Sequence, residues 1–282
     1  MKNPRAFDNF ERLSLSNFSC EAHYWHKKGA SNEYVILMHG AGCDHEMFED
    51  QAEIFPERYG IIAWDARGHG ASKLRNGKRF DFFDMRDDCL KLFEIHKIEK
   101  AILVGQSMGG NLAQEIAMRR PDLIRGLALI GCTKNAQKLT AREKALLKMS
   151  GLILRCYPWK FLVRQSANAC GLTDHAKNYV EKCLRKIGKK RFIEIMMSLP
   201  ECLSENVGHT FEMPVLLICG DADKTGNIKK ALKQWAEEDP SCELCIIENA
   251  GHCANQDNPG AVNECILRFI KEINGSKRRI LS

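Results

Sequence analysis

The chain has 282 residues, of which 44% are hydrophobic and 28% are charged, and its formal net charge is +6. This balance is typical of a chain that folds around a large core, and it excludes collagen-like and disordered proteins. No apolar run approaches the roughly 20 residues that a membrane-spanning helix needs, so we expect no integral membrane association.

The first fifteen residues carry charges throughout and contain no apolar segment of the kind that a secretory signal requires. The thirteen cysteines are therefore expected to be reduced thiols of a cytoplasmic protein. The one Cys-x-x-Cys pair, Cys242 and Cys245, lies in a strand-like alternation, and no second pair stands at a zinc-finger spacing. The sequence predicts no metal site.

Strand patterns begin near the N-terminus, where alternation over residues 12–27 predicts an antiparallel hairpin at a sheet edge. Further along, six short apolar runs are followed by turns that contain glycine. They occupy residues 34–39, 61–65, 101–104, 127–130, 215–219 and 244–247. Continuous apolar runs of this kind indicate the buried strands of a parallel sheet that is covered on both faces.

Helical periodicity separates these strands. The predicted helices cover residues 47–57, 82–96, 107–120, 227–238 and 259–273. Strands that alternate with helices predict an α/β fold, in which a mostly parallel sheet is flanked by helices and its crossovers are right-handed.

Residues 133–208 interrupt the alternation, because they contain apolar stripes at helical spacing and no convincing strand. We expect a helical insertion here, within a core domain made of residues 1–132 and 209–282. Residues 134–191 hold fifteen Lys or Arg and three Asp or Glu. These charges are either solvated helix faces or a region that attracts an anionic substrate or an anionic surface.

The strongest motif is Gly105-Gln106-Ser107-Met108-Gly109, which follows a predicted strand and opens a predicted helix. The pattern G-x-S-x-G is typical of a nucleophile elbow. The serine then takes a strained conformation with positive φ, and the glycines let strand and helix approach closely. Ser107 is the candidate nucleophile.

A serine hydroxyl needs a base, and the base needs an acid that orients it. Downstream of the serine, Asp221 and Asp223 follow one predicted strand, and His252 follows the next. The carboxyl ends of parallel strands share one edge of a sheet, so these side chains can meet Ser107 there. The pattern itself leaves both aspartates open, because one of them can serve a turn.

Taken together, the motifs resemble the α/β-hydrolase superfamily, in members that carry a helical cap. They run in order through His39-Gly40, Asp65-Ala-Arg67-Gly68-His69-Gly70-Ala-Ser72, the serine elbow, Gly220-Asp-Ala-Asp223 and Ala250-Gly251-His252. The resemblance implies that residues 133–208 form the cap, that Asp223 is the acid of a Ser-His-Asp triad, and that no cofactor is needed.

The resemblance also implies an oxyanion hole made by two backbone N–H groups, those of Ala41 and Met108. His39 is expected to hold the Ala41 loop by hydrogen bonds, and His69 is expected to be structural. The sequence leaves open whether His45 faces the mouth of the pocket.

Similar proteins include esterases, monoacylglycerol lipases and cofactor-free haloperoxidases, many of which have His where this chain has Gln106. The expected function is a serine hydrolase that cleaves a carboxylic ester or lactone of a small to medium acyl substrate. Two alternatives stay open: C–C bond hydrolysis or perhydrolysis by the same triad, and a ligand receptor with slow turnover. The expected partner is a small molecule, and the basic regions lack the interleaved aromatics of a nucleic-acid reader.

The apolar side chains of the predicted cap have two interpretations. Leu152, Trp159 and Phe161 are candidates to line an acyl pocket. Alternatively, they pack the cap onto the sheet.

Overall fold

One mixed sheet of nine strands runs through the described part of the molecule. The computed structural model describes residues 5–137, 149, 151, 153–204 and 208–280. In chain order the strands are β1 Glu11–Ser16, β2 Cys20–Lys27, β3 Glu33–Met38, β4 Gly60–Trp64, β5 Lys73–Leu74, β6 Lys100–Gln106, β7 Ile124–Ile130, β8 Val215–Gly220 and β9 Cys242–Ile247. Their spatial order is β1-β2-β4-β3-β6-β7-β8-β9, with β5 paired to β2.

Strand pairing confirms the predicted hairpin and the mostly parallel sheet. β1 and β2 are antiparallel, and β2 also pairs antiparallel with β4, where Tyr24 lies opposite Trp64. From β4 through β3, β6, β7 and β8 to β9, every pair is parallel. All residues of β4, β7 and β8 are buried, since helices cover both faces of the sheet.

Helices are present at four of the five ranges that the periodicity predicts. The helices are α1 Phe82–Ile95, α2 Met108–Arg119, α3 Trp159–Cys170, α4 Asp174–Ile187, α5 Lys189–Ser198, α6 Ile228–Glu238, α7 Ala254–Asp257 and α8 Pro259–Ile280. Predictions at 82–96, 107–120 and 227–238 are confirmed to within one residue at each end. The last helix continues beyond the predicted end at residue 273.

The helix predicted over residues 47–57 is wrong. The chain forms one 3₁₀ turn, His45–Phe48, and then continues in turns. Pro56 disfavours helical geometry in the residue before it. Gln51 instead donates a side-chain hydrogen bond to the Asn255 carbonyl at 3.2 Å. Tertiary contacts therefore override the apolar periodicity.

Two hydrophobic cores form because alternate strand residues point to opposite faces of the sheet. In β3, Val35 and Leu37 belong to one core, whereas Ile36 and Met38 belong to the other. The second core is covered by α1 and α2. The first core also receives side chains from α3, α4 and α5.

The helices α3 to α5, with a 3₁₀ turn at Leu199–Cys202, lie between β7 and β8 in the chain. An isolated parallel bridge pairs Ala136, which precedes these helices in the chain, with Ser204, which follows them. We call residues 153–204 the helical insertion. In the described residues, no helix of the chain is both long enough and apolar enough to cross a membrane.

Two polar contacts, of which the first is buried, join the helical insertion to segments that follow β3 and β9. The Tyr179 hydroxyl accepts a hydrogen bond from the Asp44 amide at 3.1 Å and lies 2.9 Å from the Asp44 carboxylate. The Asp257 carboxylate accepts hydrogen bonds from the backbone N–H groups of Leu172 and Thr173, at 3.0 and 2.8 Å. Both anchors stand at the carboxyl edge of the sheet, where the predicted site lies.

Candidate active site

Ser107 occupies the turn between β6 and α2 and has φ 50° and ψ −114°. This confirms the predicted positive φ, which is rare for a residue with a side chain. A Cβ on Gly105 would collide with the backbone of Gly109, and a Cβ on Gly109 would collide with the Met38 carbonyl. The two glycines of the motif are therefore required by the close packing of α2 on β6 and β3.

His252 and Asp223 form a buried pair at the ends of β9 and β8. The Nδ1 atom of His252 lies 3.1 Å from Oδ2 of Asp223, and the two residues are 5% and 9% exposed. The other oxygen of Asp223 accepts a hydrogen bond from the Thr225 amide at 2.8 Å. With Nδ1 held in this way, Nε2 is the ring nitrogen left for a reacting proton.

The pair favours its charged form. Burial opposes ionisation of both groups, but their mutual hydrogen bond and attraction outweigh it, so the pKa of His252 is raised and that of Asp223 is lowered. Asp221 has a different role. Its carboxylate accepts a hydrogen bond from the Ala250 amide at 3.2 Å, in the loop that follows β9. The structure thus brings Asp223 to the histidine and leaves Asp221 to the loop.

The elbow and the histidine loop meet at the end of β7. The Ser107 amide donates to the Ile130 carbonyl at 2.8 Å. A Cβ on the next residue, Gly131, would lie 3.0 Å from Nδ1 of His252. Among the described residues no hydrogen bond joins the Ser107 hydroxyl to His252, a contact that hydrolases often complete only when substrate binds.

Gln106 connects the two loops directly. This buried side chain donates from Nε2 to the carbonyl of His252 at 3.1 Å. Its position, immediately before Ser107, is the one where the sequence departs from many similar proteins. The departure is visible in the sequence, but the bond to His252 is not, because 146 residues separate the two partners.

The expected oxyanion donors stand beside Ser107. Met108 is the first residue of α2, where backbone N–H groups have no intrahelical acceptor and the helix dipole favours negative charge. Ala41 follows Gly40, and a Cβ on Gly40 would lie 3.5 Å from the Cβ of Ser107. The loop of Ala41 therefore approaches the serine from the β3 side.

The hydrogen bonds of His39 confirm that it holds this loop. Its Nδ1 donates to the Gly40 carbonyl at 2.8 Å, and its Nε2 accepts from the Ala66 amide at 2.9 Å. His69 is buried, and desolvation lowers its pKa to about 3, as expected for a structural residue.

His45, whose role the sequence leaves open, is engaged by two neighbours. Its Nδ1 lies 2.8 Å from Oδ1 of Asp65. Its ring stacks on Trp25 with the ring centroids 3.3 Å apart.

Sequence reasoning missed two groups at the histidine loop. The Asp257 carboxylate accepts a hydrogen bond from the Gly251 amide at 2.8 Å, in addition to those from the helical insertion. The Cys253 amide donates to the Cys170 carbonyl at 2.7 Å. The Cys253 thiol and the charge of His252 lower the pKa of Cys170 to about 7. Since Cys170 comes from α3, no spacing in the sequence could have placed it there.

The three candidates for the acyl pocket fall in different surroundings. Trp159 is half-buried and packs against Phe192, with ring centroids 5.7 Å apart. Phe161 is 47% exposed and stacks on Tyr157. Leu152 lies outside the described residues. Within the described part of the chain, no three metal-binding side chains are close enough to share an ion.

The chain matches the model of a known protein family. The family model described as serine aminopeptidase, S33, matches residues 29–258. The chain belongs to this family. It is accordingly a member of the α/β-hydrolase superfamily, as the motifs predict.

Relatives of this hydrolase carry several names. It is 23% identical over 264 residues to the (E)-2-((N-methylformamido)methylene)succinate hydrolase of Acinetobacter baylyi, covering 92% of this chain and 97% of that protein. It is 26% identical over 271 residues to protein ABHD8 of Mus musculus, covering 90% of this chain and 59% of that protein.

Solved structures share the fold of this hydrolase. A thermophilic esterase from Thermogutta terrifontis, with malate bound, superposes with a TM-score of 0.77 at 19% identity, covering 93% of this chain and 99% of that one. A bromoperoxidase from Bacillus anthracis superposes with a TM-score of 0.77 at 18% identity, covering 93% and 100%. Different reactions thus occur on one fold, and the reaction of this chain has to be argued from its own site.

Proposed function

We propose that this chain is a serine hydrolase that cleaves a carboxylic ester or lactone with a small to medium acyl group. The observation that carries the proposal is the buried pair of His252 and Asp223 beside the positive-φ turn of Ser107. Gln106 ties the histidine loop to the residue before the serine, which supports a fixed relation between base and nucleophile. The catalytic triad of the proposal is Ser107, His252 and Asp223.

In the first half of the proposed reaction, the Ser107 hydroxyl attacks the acyl carbonyl carbon and its proton passes to Nε2 of His252. Asp223 accepts the Nδ1 proton in a hydrogen bond and stabilises the imidazolium. The backbone N–H groups of Ala41 and Met108 hold the developing oxyanion. A single donor of this type lowers the barrier by about 3–4 kcal/mol in a measured protease.

In the second half, the imidazolium gives its proton to the leaving alcohol, which leaves an ester between the acyl group and Ser107. Water then attacks this acyl-enzyme while His252 takes its proton. The tetrahedral intermediate formed by water then collapses. This releases the acid, and His252 returns its proton to the Ser107 oxygen. The chemistry uses only these side chains, two amides and water.

We propose that the helical insertion belongs to a cap of residues 133–208, which lies over a core domain of residues 1–132 and 209–282. Its contacts support this role, because Asp257 joins α3 and α4 to the His252 loop. We propose that Leu152, Trp159 and Phe161 contribute to the acyl pocket, so that the cap selects the substrate.

All thirteen cysteines are free thiols, which supports the cytoplasm as the compartment.

Kinetics on a series of p-nitrophenyl esters of increasing acyl length test the proposal. Ser107→Ala is expected to lower kcat/KM by at least about a thousandfold, because the nucleophile is lost. Ser14→Ala, on the exposed face of β1, is the matched control and should keep wild-type rates. Full ester hydrolysis by Ser107→Ala would refute the proposal. A wild-type protein inactive on every ester would favour C–C hydrolysis, perhydrolysis or a receptor.

A further inference from the structure

A wide groove lies on the molecule between residues 74–79, which follow β5, and residues 187–194, where α4 passes into α5. Its volume is about 1090 Å³. Three cationic side chains come from the first segment, three from the second, and one is Arg155. Among the described lining residues, Glu194 is the single carboxylate. The groove therefore concentrates positive charge in a cavity large enough for a small molecule.

A helix terminus adds to this charge. Helix α5 begins after Gly188, which has φ 78°, and no side chain caps it. The backbone N–H groups of the first turn have no intrahelical acceptors, and the helix dipole is positive at this end. The first three residues of the helix, Lys189, Lys190 and Arg191, all line the groove. Free amides and cationic side chains together suit a phosphate.

Some of the cations hold the walls of the groove in place. Lys189 donates to the carbonyls of Arg155 and Tyr157 at 2.6 and 2.8 Å. Arg75 donates from Nε to the Asn17 carbonyl at 3.0 Å. Each bond holds one wall of the groove to a neighbouring segment of the chain.

Other cations remain available for a ligand, and each wall of the groove contributes one of them. Arg79 and Lys190 are exposed, and among the described residues their side chains make no hydrogen bond or ion pair. They come from opposite walls of the groove, so an anion between them would be attracted from both sides.

We propose that this groove is a binding site for a phosphate-bearing ligand. The proposal goes beyond the hydrolase function and does not depend on it. The ligand chemistry is a phosphate group, carried either by a free small molecule or by a lipid headgroup. Of the two interpretations of the basic segment, the proposal adopts attraction of an anion.

A second, smaller cavity adjoins the groove. Its volume is about 180 Å³, and it shares Leu74, Ile187 and Arg191 with the groove. Gly42, which follows the proposed oxyanion residue Ala41, also lines this cavity. Binding and hydrolysis therefore have to be measured separately on the same protein.

The test compares two double charge reversals in the full-length protein. Arg79→Glu/Lys190→Glu changes one available cation on each wall of the groove. Lys230→Glu/Lys271→Glu changes two exposed lysines on α6 and α8 and alters the net charge equally. Binding of inorganic pyrophosphate is measured by calorimetry. Binding to phosphatidylcholine vesicles with and without phosphatidic acid is measured by sedimentation.

We expect pyrophosphate to bind saturably and more weakly as salt concentration rises. The groove variant should raise the Kd about tenfold or more, whereas the control variant should change it less than about twofold. This result identifies a free phosphate compound as the source. Groove-dependent binding to phosphatidic acid vesicles without pyrophosphate binding also supports the site, and identifies a lipid headgroup.

Absence of binding to both probes would overturn the proposal, and so would an equal loss of binding in the two variants. Hydrolysis of p-nitrophenyl acetate is the independent readout, and both variants should retain wild-type rates. A wild-type protein that is inactive on every p-nitrophenyl ester of the series but still binds phosphate would refute the proposed ester hydrolysis and leave the groove assignment intact.

Discussion

At the scale of single residues, Asp223 controls the protonation of His252. Their hydrogen bond raises the pKa of the imidazole despite its burial. A raised pKa keeps the ring protonated to higher pH, and a protonated ring cannot act as a base. In the proposed mechanism kcat/KM therefore rises as pH increases through the pKa of His252.

Replacement of Asp223 by Asn should move this acidic limb to lower pH, because the carboxylate no longer stabilises the imidazolium. The maximal kcat should fall by up to about ten-thousandfold, as the equivalent change does in a serine protease. The measurement is a pH profile of kcat/KM for one p-nitrophenyl ester. Asp221→Asn is the control. A shift of the acidic limb in this variant, but not in Asp223→Asn, would show that Asp221 is the acid.

Several residues of the candidate site could be predicted from sequence because local patterns determine them. The elbow motif predicts the positive φ of Ser107, and strand ends predict the placement of His252. The choice between Asp221 and Asp223 needed the resemblance, since both follow the same strand. The bond from Gln106 and the approach of Cys170 could not be predicted, because their partners are distant in the chain.

At the scale of elements, the packing of α2 against β6 and β3 leaves no space at the elbow for side chains on its glycines. Gly109 lies against the Met38 carbonyl of β3, and Gly105 lies against the backbone of Gly109. The elbow conformation thus depends on close approach of three elements rather than on the serine alone.

Gly109→Ala should force α2 away from β3 and lower the free energy of unfolding by about 2 kcal/mol or more, in the range of overpacked cores. Gly260→Ala is the matched control, because a Cβ there has no neighbour within 4 Å. In a helix that change should be neutral or slightly stabilising. Urea unfolding of both variants makes the measurement, and equal stability would contradict the packing argument.

Elements could be predicted where hydrophobic pattern and tertiary environment agree. Buried strands such as β7 and β8 produce continuous apolar runs, so the sequence identifies them. The helix predicted at 47–57 is absent, because the Gln51 side chain contacts α7 and Pro56 lies within the predicted range. The two-residue strand β5 is too short for any pattern to indicate.

At the scale of the whole molecule, a buried polar contact fixes the helical insertion to the segment that follows β3. Tyr179 of α4 is buried, and its hydroxyl accepts from the Asp44 amide at 3.1 Å. Burial raises the pKa of this phenol well above its usual range, so it stays neutral. Removal of the hydroxyl leaves a buried amide without its acceptor.

Tyr179→Phe should therefore lower the free energy of unfolding by about 1–3 kcal/mol and expose the insertion to proteolysis. Tyr157→Phe is the control, because Tyr157 is 44% exposed. Denaturant unfolding and limited trypsin digestion of both variants test this. Stability and digestion that are the same in Tyr179→Phe as in Tyr157→Phe would show that the hydroxyl does not anchor the insertion.

The proposed reaction depends on a covalent intermediate at the Ser107 hydroxyl. The most direct measurement is intact-mass spectrometry after brief exposure to a fluorophosphonate or to p-nitrophenyl acetate, followed by peptide mapping. We predict one adduct per chain, on Ser107, that is absent in Ser107→Ala and forms much more slowly in His252→Ala. An adduct on another residue, or labelling that is unchanged when Ser107 is replaced, would contradict the account.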